Sequence, residues 1–236
     1  MSGKDIPLHD GGVRIGWAVE DITPEGPVIL FGQYYDRTST YVHSPLKATA
    51  CAMESVDKAG TLEQAVMVSL DLLWVTRDMQ HLVKKEVRER IPDFDVRKLF
   101  LNAIHTHSAP DPDPSNDYGK LVVKRICNAV ISAWHNRKPA GISRGLGYAV
   151  TGHSRRVRYA DGSAEMYGAT DRDDFIGMEG SANPGVDMLF TWNLERELTG
   201  IIMNVSCPAQ VTEAKYYVSA GCWCAVRQHP GRLFPH

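Results

Sequence analysis

The feature that most restricts the fold is a strand–helix–strand pattern in the first half of the chain. Residues 66–71 and 98–104 are apolar runs with the length of buried strands. Thr76 can cap a helix between them, and Pro92 ends it. Apolar residues recur at helical spacing in that helix, at Met79, Leu82, Val83, Val87 and Ile91. A β-α-β crossover is almost always right-handed and makes its strands parallel, so the pattern predicts an α/β fold.

Further strands are predicted on both sides of this unit. Residues 47–55 and 64–71 predict an antiparallel hairpin that turns at 57–60, and residues 117–136 predict a second long helix. Other strands are predicted at 13–20, 142–150, 188–193 and 200–206. We therefore predict a mixed β-sheet with a parallel β-α-β centre, antiparallel hairpins and flanking helices.

Two histidines lie where the second strand of the β-α-β unit opens into a loop, in the sequence Asn-Ala-Ile-His-Thr-His-Ser-Ala-Pro at 102–110. Alternate residues of an extended segment point to the same side, so His105 and His107 are expected to face one site, with Thr106 turned away. Neutral imidazole is a common zinc ligand, and open α/β sheets bind ligands at the carboxyl ends of their strands. The alternative is a hydrogen-bonded structural pair.

Asp71 ends the preceding strand and is expected at the same edge of the sheet, because parallel strands end together. One interpretation is that its carboxylate caps the following helix. The other is that it holds a histidine in position by a hydrogen bond.

Composition excludes several classes of protein. With 236 residues, 43% of them hydrophobic, the chain can bury one sizeable core, and a net charge of −2 without long runs of one sign argues against a nucleic-acid groove or an anionic membrane surface. Residues 1–12 have no apolar core of a signal peptide, and no stretch has the length of a membrane span. Five cysteines without CxxC spacing predict a reduced, soluble protein rather than a disulfide framework.

Two segments are candidates for contact with a substrate. Residues 33–41 are rich in tyrosine, and Tyr34 is expected either to line a lipid cleft or to stack on a sugar. Residues 151–184 are predicted to form a long irregular excursion that carries a basic cluster with Arg155. This cluster either binds an anionic group of the substrate or is a solvated loop.

Several segments together resemble the N-terminal domain of the neutral/alkaline, non-lysosomal ceramidase family. They are Asp-Ile-Thr-Pro at 21–24, Ser-Leu-Asp at 69–71 and the His-Thr-His-Ser-x-Pro element at 105–110, with a weaker likeness at 185–187 and 204–208. The resemblance covers residues 13–220, which we expect to form an incomplete ceramidase-like catalytic domain. Residues 221–236 resemble nothing in the family and are interpreted as a truncated or frame-shifted end, or alternatively as a divergent tail.

The resemblance implies a zinc-dependent amidase that cleaves the N-acyl bond of ceramide or a related lipid. In that family the first histidine of the motif binds zinc, so His105 inherits the role of ligand to one Zn²⁺. The second histidine lies in the pocket, so His107 is carried over as a site residue only. Our hypothesis is that His107 is catalytic and polarises the substrate or metal-bound water. Family members are often secreted, and this sequence fixes neither the compartment nor the oligomeric state.

The match departs from the family at the second zinc histidine. In the family this histidine lies in a segment similar to residues 203–210, but here that segment contains no histidine. Cys207, Glu213 or Gln210 are candidates to replace it, and a buried, unreactive Cys207 is the alternative. Gly221 stands where the family has an acidic residue. The family's remaining ligands, a glutamate and a tyrosine, and its catalytic serine come later than this sequence extends, so we expect impaired hydrolysis.

Two other functions remain open at this stage. A non-catalytic α/β domain would bind its ligand without His105, and its affinity would survive a chelator. A metal-dependent hydrolase of another amide or ester would be separated from a ceramidase by substrate screening.

Overall fold

The computed structural model describes residues 12–228, and these fall into two compact units. The larger unit contains residues 12–141, 192–197 and 209–228, and the smaller contains 142–191 and 198–208. Both histidines of the 102–110 segment belong to the larger unit. The predicted division of the chain at residue 220 stays a prediction.

The larger unit is built on a mixed sheet. Its strands and a two-stranded ribbon are β1 (Val13–Asp21), β2 (Ile29–Leu30), β3 (Arg37–Thr38), β4 (Lys47–Val56), β5 (Leu62–Leu70), β6 (Leu99–Ala103) and the beginning of β7 (Lys138–Tyr148). The sheet order is β7-β1-β4-β5-β6, with β2 and β3 paired separately. Strands β5 and β6 are parallel, whereas β1 pairs antiparallel with β4 and β7, and β4 antiparallel with β5. The predicted fold class is confirmed.

Two amphipathic helices complete the larger unit, α1 (Arg77–Arg90) and α2 (Asp117–His135). The Thr76 side chain accepts a hydrogen bond from the Met79 amide and caps α1, as the sequence predicts. The Asn116 side chain caps α2 in the same way, by accepting from the Gly119 amide. Helix α1 therefore connects two parallel strands, and the predicted β-α-β unit is confirmed.

The core of the larger unit lies between its helices and one face of the sheet. Alternate residues of β4 are small and fully buried, and they share the hydrophobic core with apolar residues of β5 and α2, among them Ala48, Ala50, Val66, Val68, Ile126 and Val130. Gly16 of β1 lies directly against the end of α2, where a Cβ atom would be 2.1 Å from the Ala133 carbonyl oxygen. Close contact of helix and sheet therefore depends on a residue without a side chain.

The smaller unit corrects one prediction. In place of a wholly irregular excursion, it contains a three-stranded sheet in the order β10-β8-β9, formed by β8 (Arg156–Tyr159), β9 (Ala164–Met166) and β10 (Phe175–Met178). Along β8 the buried Val157 and Tyr159 alternate with exposed arginines. The strand is too short for this alternation to be recognised in a sequence segment rich in charged residues. Strands β11 (Gly185–Trp192) and β12 (Leu198–Val205) adjoin β7 and agree with the predicted strands.

The described chain ends in a short helix, α3 (Cys222–Gln228). The rest of the predicted atypical tail, residues 229–236, lies outside the described residues. Among residues 12–228, no helix combines the length and the apolar character needed to cross a membrane.

Gly16→Ala tests the packing of α2 on β1. We expect a loss of about 3 kcal/mol or more in the free energy of unfolding, because the methyl group would overlap the helix backbone rather than a movable side chain. The matched control is Gly141→Ala, another strand glycine of the larger unit, whose Cβ would lie 3.8 Å from the Trp192 Cβ atom. Urea unfolding of both variants should show a change of less than about 1 kcal/mol for the control. Equal stabilities would contradict the packing described.

Candidate functional site

The site is built where β5 and β6 end at the same edge of the sheet. Hydrogen bonds continue past both strands, since the Ile104 amide donates to the Leu70 carbonyl and the Thr106 amide donates to the Leu72 carbonyl. Residues 104–106, which follow β6, are therefore held against the last residue of β5 and the two residues that follow it. This extension fixes the backbone on which the two histidines lie.

His105 is oriented by both its backbone and its ring. Its φ of 64° is in the left-handed region, which is uncommon for a residue with a side chain. Its Nδ1 lies 3.0 Å from the Leu73 carbonyl oxygen. Because a carbonyl only accepts, Nδ1 carries the proton and donates it, which leaves the lone pair of the ring on Nε2. His105 thus presents an unprotonated nitrogen, the form that binds a metal ion.

The structure brings the rings of His105 and His107 together. Their Nε2 atoms are 3.2 Å apart, and the ring planes are inclined by 74°. The fully buried Thr106 is turned away and donates its hydroxyl hydrogen to the Ser219 carbonyl. The expected extended conformation is not the cause, because β6 ends at Ala103 and the left-handed His105 turns the chain.

Two further polar side chains surround His107. The Gln210 amide nitrogen lies 2.9 Å from His107 Nε2 and 3.1 Å from a Glu213 carboxylate oxygen. Since an ionised carboxylate only accepts, the amide group must point its N–H bonds at both partners, and His107 Nε2 is an acceptor. The Glu213 oxygen is also 3.7 Å from His107 Nδ1. In these tautomers both imidazoles direct an Nε2 lone pair into the same space. The 3.2 Å contact between the two Nε2 atoms is then not a hydrogen bond, and a cation or an added proton would relieve the repulsion between the lone pairs.

His107 is nearly buried, and burial is the main cause that lowers its pKa from the usual value. The neighbouring His105 and the cationic Arg37 act in the same direction, while the Glu213 carboxylate opposes them. Gly32 packs against this ring, and a Cβ there would lie 2.7 Å from His107 Cγ and Nδ1. Its φ of 108° also favours glycine.

Arg37 is the site residue that the sequence analysis missed. Its guanidinium is fully buried and donates to three backbone carbonyls, those of Phe31, His107 and Lys215. Burial lowers its pKa. In the sequence it is one arginine in a polar, aromatic segment, and no local pattern distinguishes it from a solvated side chain.

Asp71 has a different role from capping α1, and that prediction is wrong because Thr76 caps the helix. Its fully buried carboxylate accepts two hydrogen bonds from the Arg227 guanidinium, at 2.8 and 2.6 Å, and one from the Lys47 amide. Burial raises the pKa of Asp71, and Arg227 acts against that rise. Its hydrogen bonds thus go to Arg227 and Lys47 rather than to a histidine.

The other predicted site residues lie in different surroundings. The Tyr34 side chain is fully exposed. Cys207 and Arg155 belong to the smaller unit. Cys207 is only half-buried, which disagrees with its interpretation as a buried thiol, and its Sγ is 3.2 Å from the Thr151 carbonyl oxygen. Arg155 donates to the Tyr167 hydroxyl at 2.6 Å. Arg155 therefore already has a protein partner.

The histidine pair fits a zinc ion in part. Two nitrogens bound to tetrahedral zinc at 2.0–2.1 Å are separated by about 3.3–3.4 Å, and the two Nε2 atoms are 3.2 Å apart. Between residues 12 and 228, however, no group of three or more His, Cys, Asp or Glu side chains is arranged to hold a metal. The amide hydrogen of Gln210 also competes for the His107 lone pair. Of the two imidazoles, His105 is therefore the better disposed to bind a metal ion.

No protein-family model matches the chain, and no curated protein matches it. Among solved structures, it is similar to the neutral ceramidase from Pseudomonas aeruginosa, with a TM-score of 0.68 and 20% sequence identity over 90% of this chain. It is also similar to a ceramidase complexed with C2, with a TM-score of 0.67 and 21% identity over 89% of this chain. In both cases the match covers 34% of the other chain. The chain therefore has a ceramidase-like fold and spans about a third of the length of these structures.

Arg227→Met tests the ion pair that links α3 to the end of β5. Removing the guanidinium leaves a buried, unpaired carboxylate, and we expect a loss of about 2–4 kcal/mol in the free energy of unfolding, less than for a fully buried pair because the Arg227 side chain is 36% exposed. Asp71→Asn combined with Arg227→Met should restore much of this loss.

The loss in Arg227→Met should also depend on pH. Without Arg227 the folded-state pKa of Asp71 lies above its unfolded value, so the folded state gains a proton first and stability recovers as the pH falls through that pKa. Urea unfolding between about pH 8 and pH 5 should therefore show a deficit that shrinks towards acid, and no such trend in the double variant. A deficit that grows towards acid would exclude a buried, charged Asp71 as its cause.

Proposed function

We propose that this chain carries the histidine site of a zinc-dependent amide hydrolase of the ceramidase type. The substrate class would be ceramide or a related lipid with an N-acyl bond. The ceramidase-like fold supports this proposal, but at 20–21% identity the likeness says nothing about chemistry. The observation that carries it is the His105 imidazole, whose Nδ1 is held by the Leu73 carbonyl and whose unprotonated Nε2 faces that of His107.

Each residue of the pair would have a distinct role. His105 would hold the metal through Nε2, with its ring fixed by Leu73. A bound zinc ion would supply a Lewis acid and a water molecule of lowered pKa. His107, kept neutral by burial, would direct its Nε2 towards the substrate carbonyl or that water, once the Gln210 amide turns aside.

An aromatic pair beside the histidines suits a lipid amide. Phe31 and Trp74 are in edge-to-face contact, with ring centroids 5.0 Å apart. Phe31 adjoins Gly32, which packs on His107, and Trp74 adjoins Leu73, which holds His105. Trp74 is 43% exposed, so this pair offers apolar surface to an acyl chain next to the reacting groups.

We further propose that hydrolysis by these residues alone is impaired. A catalytic zinc site in a protein has about three protein ligands and one open position. The described residues offer two imidazoles without a third ligating group, and one of the two imidazoles accepts a hydrogen bond from Gln210. The same observation favours a second function, a non-catalytic domain that binds a lipid amide. Such a domain should keep its ligand affinity in the presence of a chelator and in His105→Ala.

Zinc stoichiometry of the purified chain is the first test. We expect bound zinc in the wild-type chain and at least about a tenfold loss of affinity in His105→Ala, because loss of a ligand's hydrogen-bond partner alone costs about 10–100-fold. The control is His81→Ala, an exposed histidine of α1. A chain without zinc, or one whose zinc affinity falls equally in both variants, would contradict the metal site. Ceramide hydrolysis measured alongside decides whether the bound metal is catalytic.

Gln210→His tests whether the site lacks a third nitrogen. The substitution removes the N–H group that competes for His107 and places an imidazole within reach of the pair. We expect zinc affinity to rise at least about tenfold, measured by competition with a chromophoric chelator. Gln80→His adds a histidine on α1 instead and should leave zinc affinity unchanged. A rise in both variants would point to non-specific binding by added histidines.

A further inference from the structure

Arg37 donates hydrogen bonds to three backbone segments around His107, those of Phe31, Lys215 and His107 itself. Its guanidinium is fully buried, and this is a costly place for a charge unless hydrogen bonds compensate it. Nη1 donates to the Lys215 carbonyl at 2.8 Å, and Nη2 donates to the carbonyls of Phe31 and His107. All three acceptors are backbone groups of different segments.

The Phe31 segment supports one face of the His107 ring. Phe31 is followed by Gly32, which lies so close to the ring that no Cβ would fit. The Phe31 amide also donates to the Ala109 carbonyl, so the segment is attached on both sides of His107. A shift of the Phe31 carbonyl would therefore move the surface on which the imidazole rests.

The segment that ends at Lys215 carries the polar partners of His107. Lys215 ends a pair of turns in which the Glu213 amide donates to the Gln210 carbonyl and the Lys215 amide donates to the Thr212 carbonyl. The Gln210 amide contacts Nε2 of His107, and the Glu213 carboxylate orients that amide by accepting its other hydrogen. By holding the Lys215 carbonyl, Arg37 fixes the position of this turn relative to the imidazole.

We propose that Arg37 is the positioning residue of His107, a buried guanidinium whose fork holds the Gly32 face, the His107 backbone and the Gln210–Glu213 turn in one arrangement. A planar guanidinium suits this task because its donors leave in fixed directions, whereas a lysine ammonium offers one centre on a flexible stem. The inference deepens the proposed function, on which its importance for catalysis rests, but the geometry that it predicts can be measured without zinc.

The test is ¹⁵N NMR of the metal-free chain labelled with ¹⁵N-histidine. The ring nitrogen signals of His107 are assigned by their loss in His107→Gln. Arg37→Met is expected to shift both ring nitrogens of His107 and to leave those of His81 unchanged. Arg37→Lys, which keeps the charge but lacks the fork, is expected to give an intermediate shift. Val130→Ala, which opens a cavity at a buried position of α2, serves as a control of reduced stability. It should lower the urea midpoint without moving the His107 signals.

Unchanged His107 signals in a folded Arg37→Met chain would overturn the proposal, as would an equal shift in Val130→Ala at a similar urea midpoint. If Arg37→Met does not fold, Arg37→Lys decides, and wild-type His107 signals in that variant would overturn it. In zinc titrations, Arg37→Met should lose about tenfold in affinity. A wild-type chain that binds no zinc would refute the proposed function only, because the His107 signals are read without metal.

Discussion

The site depends on hydrogen bonding that continues beyond the ends of a parallel strand pair. The carbonyls of Leu70, Leu72 and Leu73 bind, in turn, the Ile104 amide, the Thr106 amide and the His105 ring. Strand ends normally separate into loops, but here two further backbone hydrogen bonds and one ring contact follow the last paired residues. A left-handed residue at position 105 can be tolerated under these conditions because its neighbours on both sides are fixed. The orientation of the imidazole is thus a consequence of backbone pairing rather than of side-chain packing.

Two guanidinium groups, of Arg227 and the buried Arg37, then attach distant parts of the chain to this edge, and their contacts differ in kind. Arg227 meets a carboxylate, so the pair compensates its own charges and connects α3 with the end of β5. Arg37 donates only to backbone carbonyls. The free-energy cost of desolvating its guanidinium is therefore offset by three neutral acceptors, which are weaker than a carboxylate. Such an arrangement is a poor means of stabilising a fold. It is better explained as a means of keeping three backbone segments in fixed positions.

Local sequence patterns predicted the part of the structure that local interactions determine. The β-α-β unit, the Thr76 cap and the hairpin could be predicted because periodicity and capping act over a few residues. The contacts of Asp71 and Arg37 could not, because their partners are 156 and up to 178 residues away. The short strands of the smaller unit were hidden for a different reason. With three or four residues each, β8, β9 and β10 have too few alternations to be recognised.

The likeness to ceramidases concerns the fold, whereas the hydrogen bonds of the site concern its chemistry. At 20% identity the likeness shows a shared fold and does not bear on whether the two histidines after β6 bind a metal. The hydrogen bonds are more specific, since the Leu73 carbonyl leaves Nε2 of His105 free to accept, whereas the Gln210 amide occupies Nε2 of His107. His105 therefore has an Nε2 lone pair without a hydrogen donor from Leu73 or Gln210, whereas the lone pair of His107 accepts from the Gln210 amide. For a cation to bind to both imidazoles, the Gln210 amide would have to release Nε2 of His107.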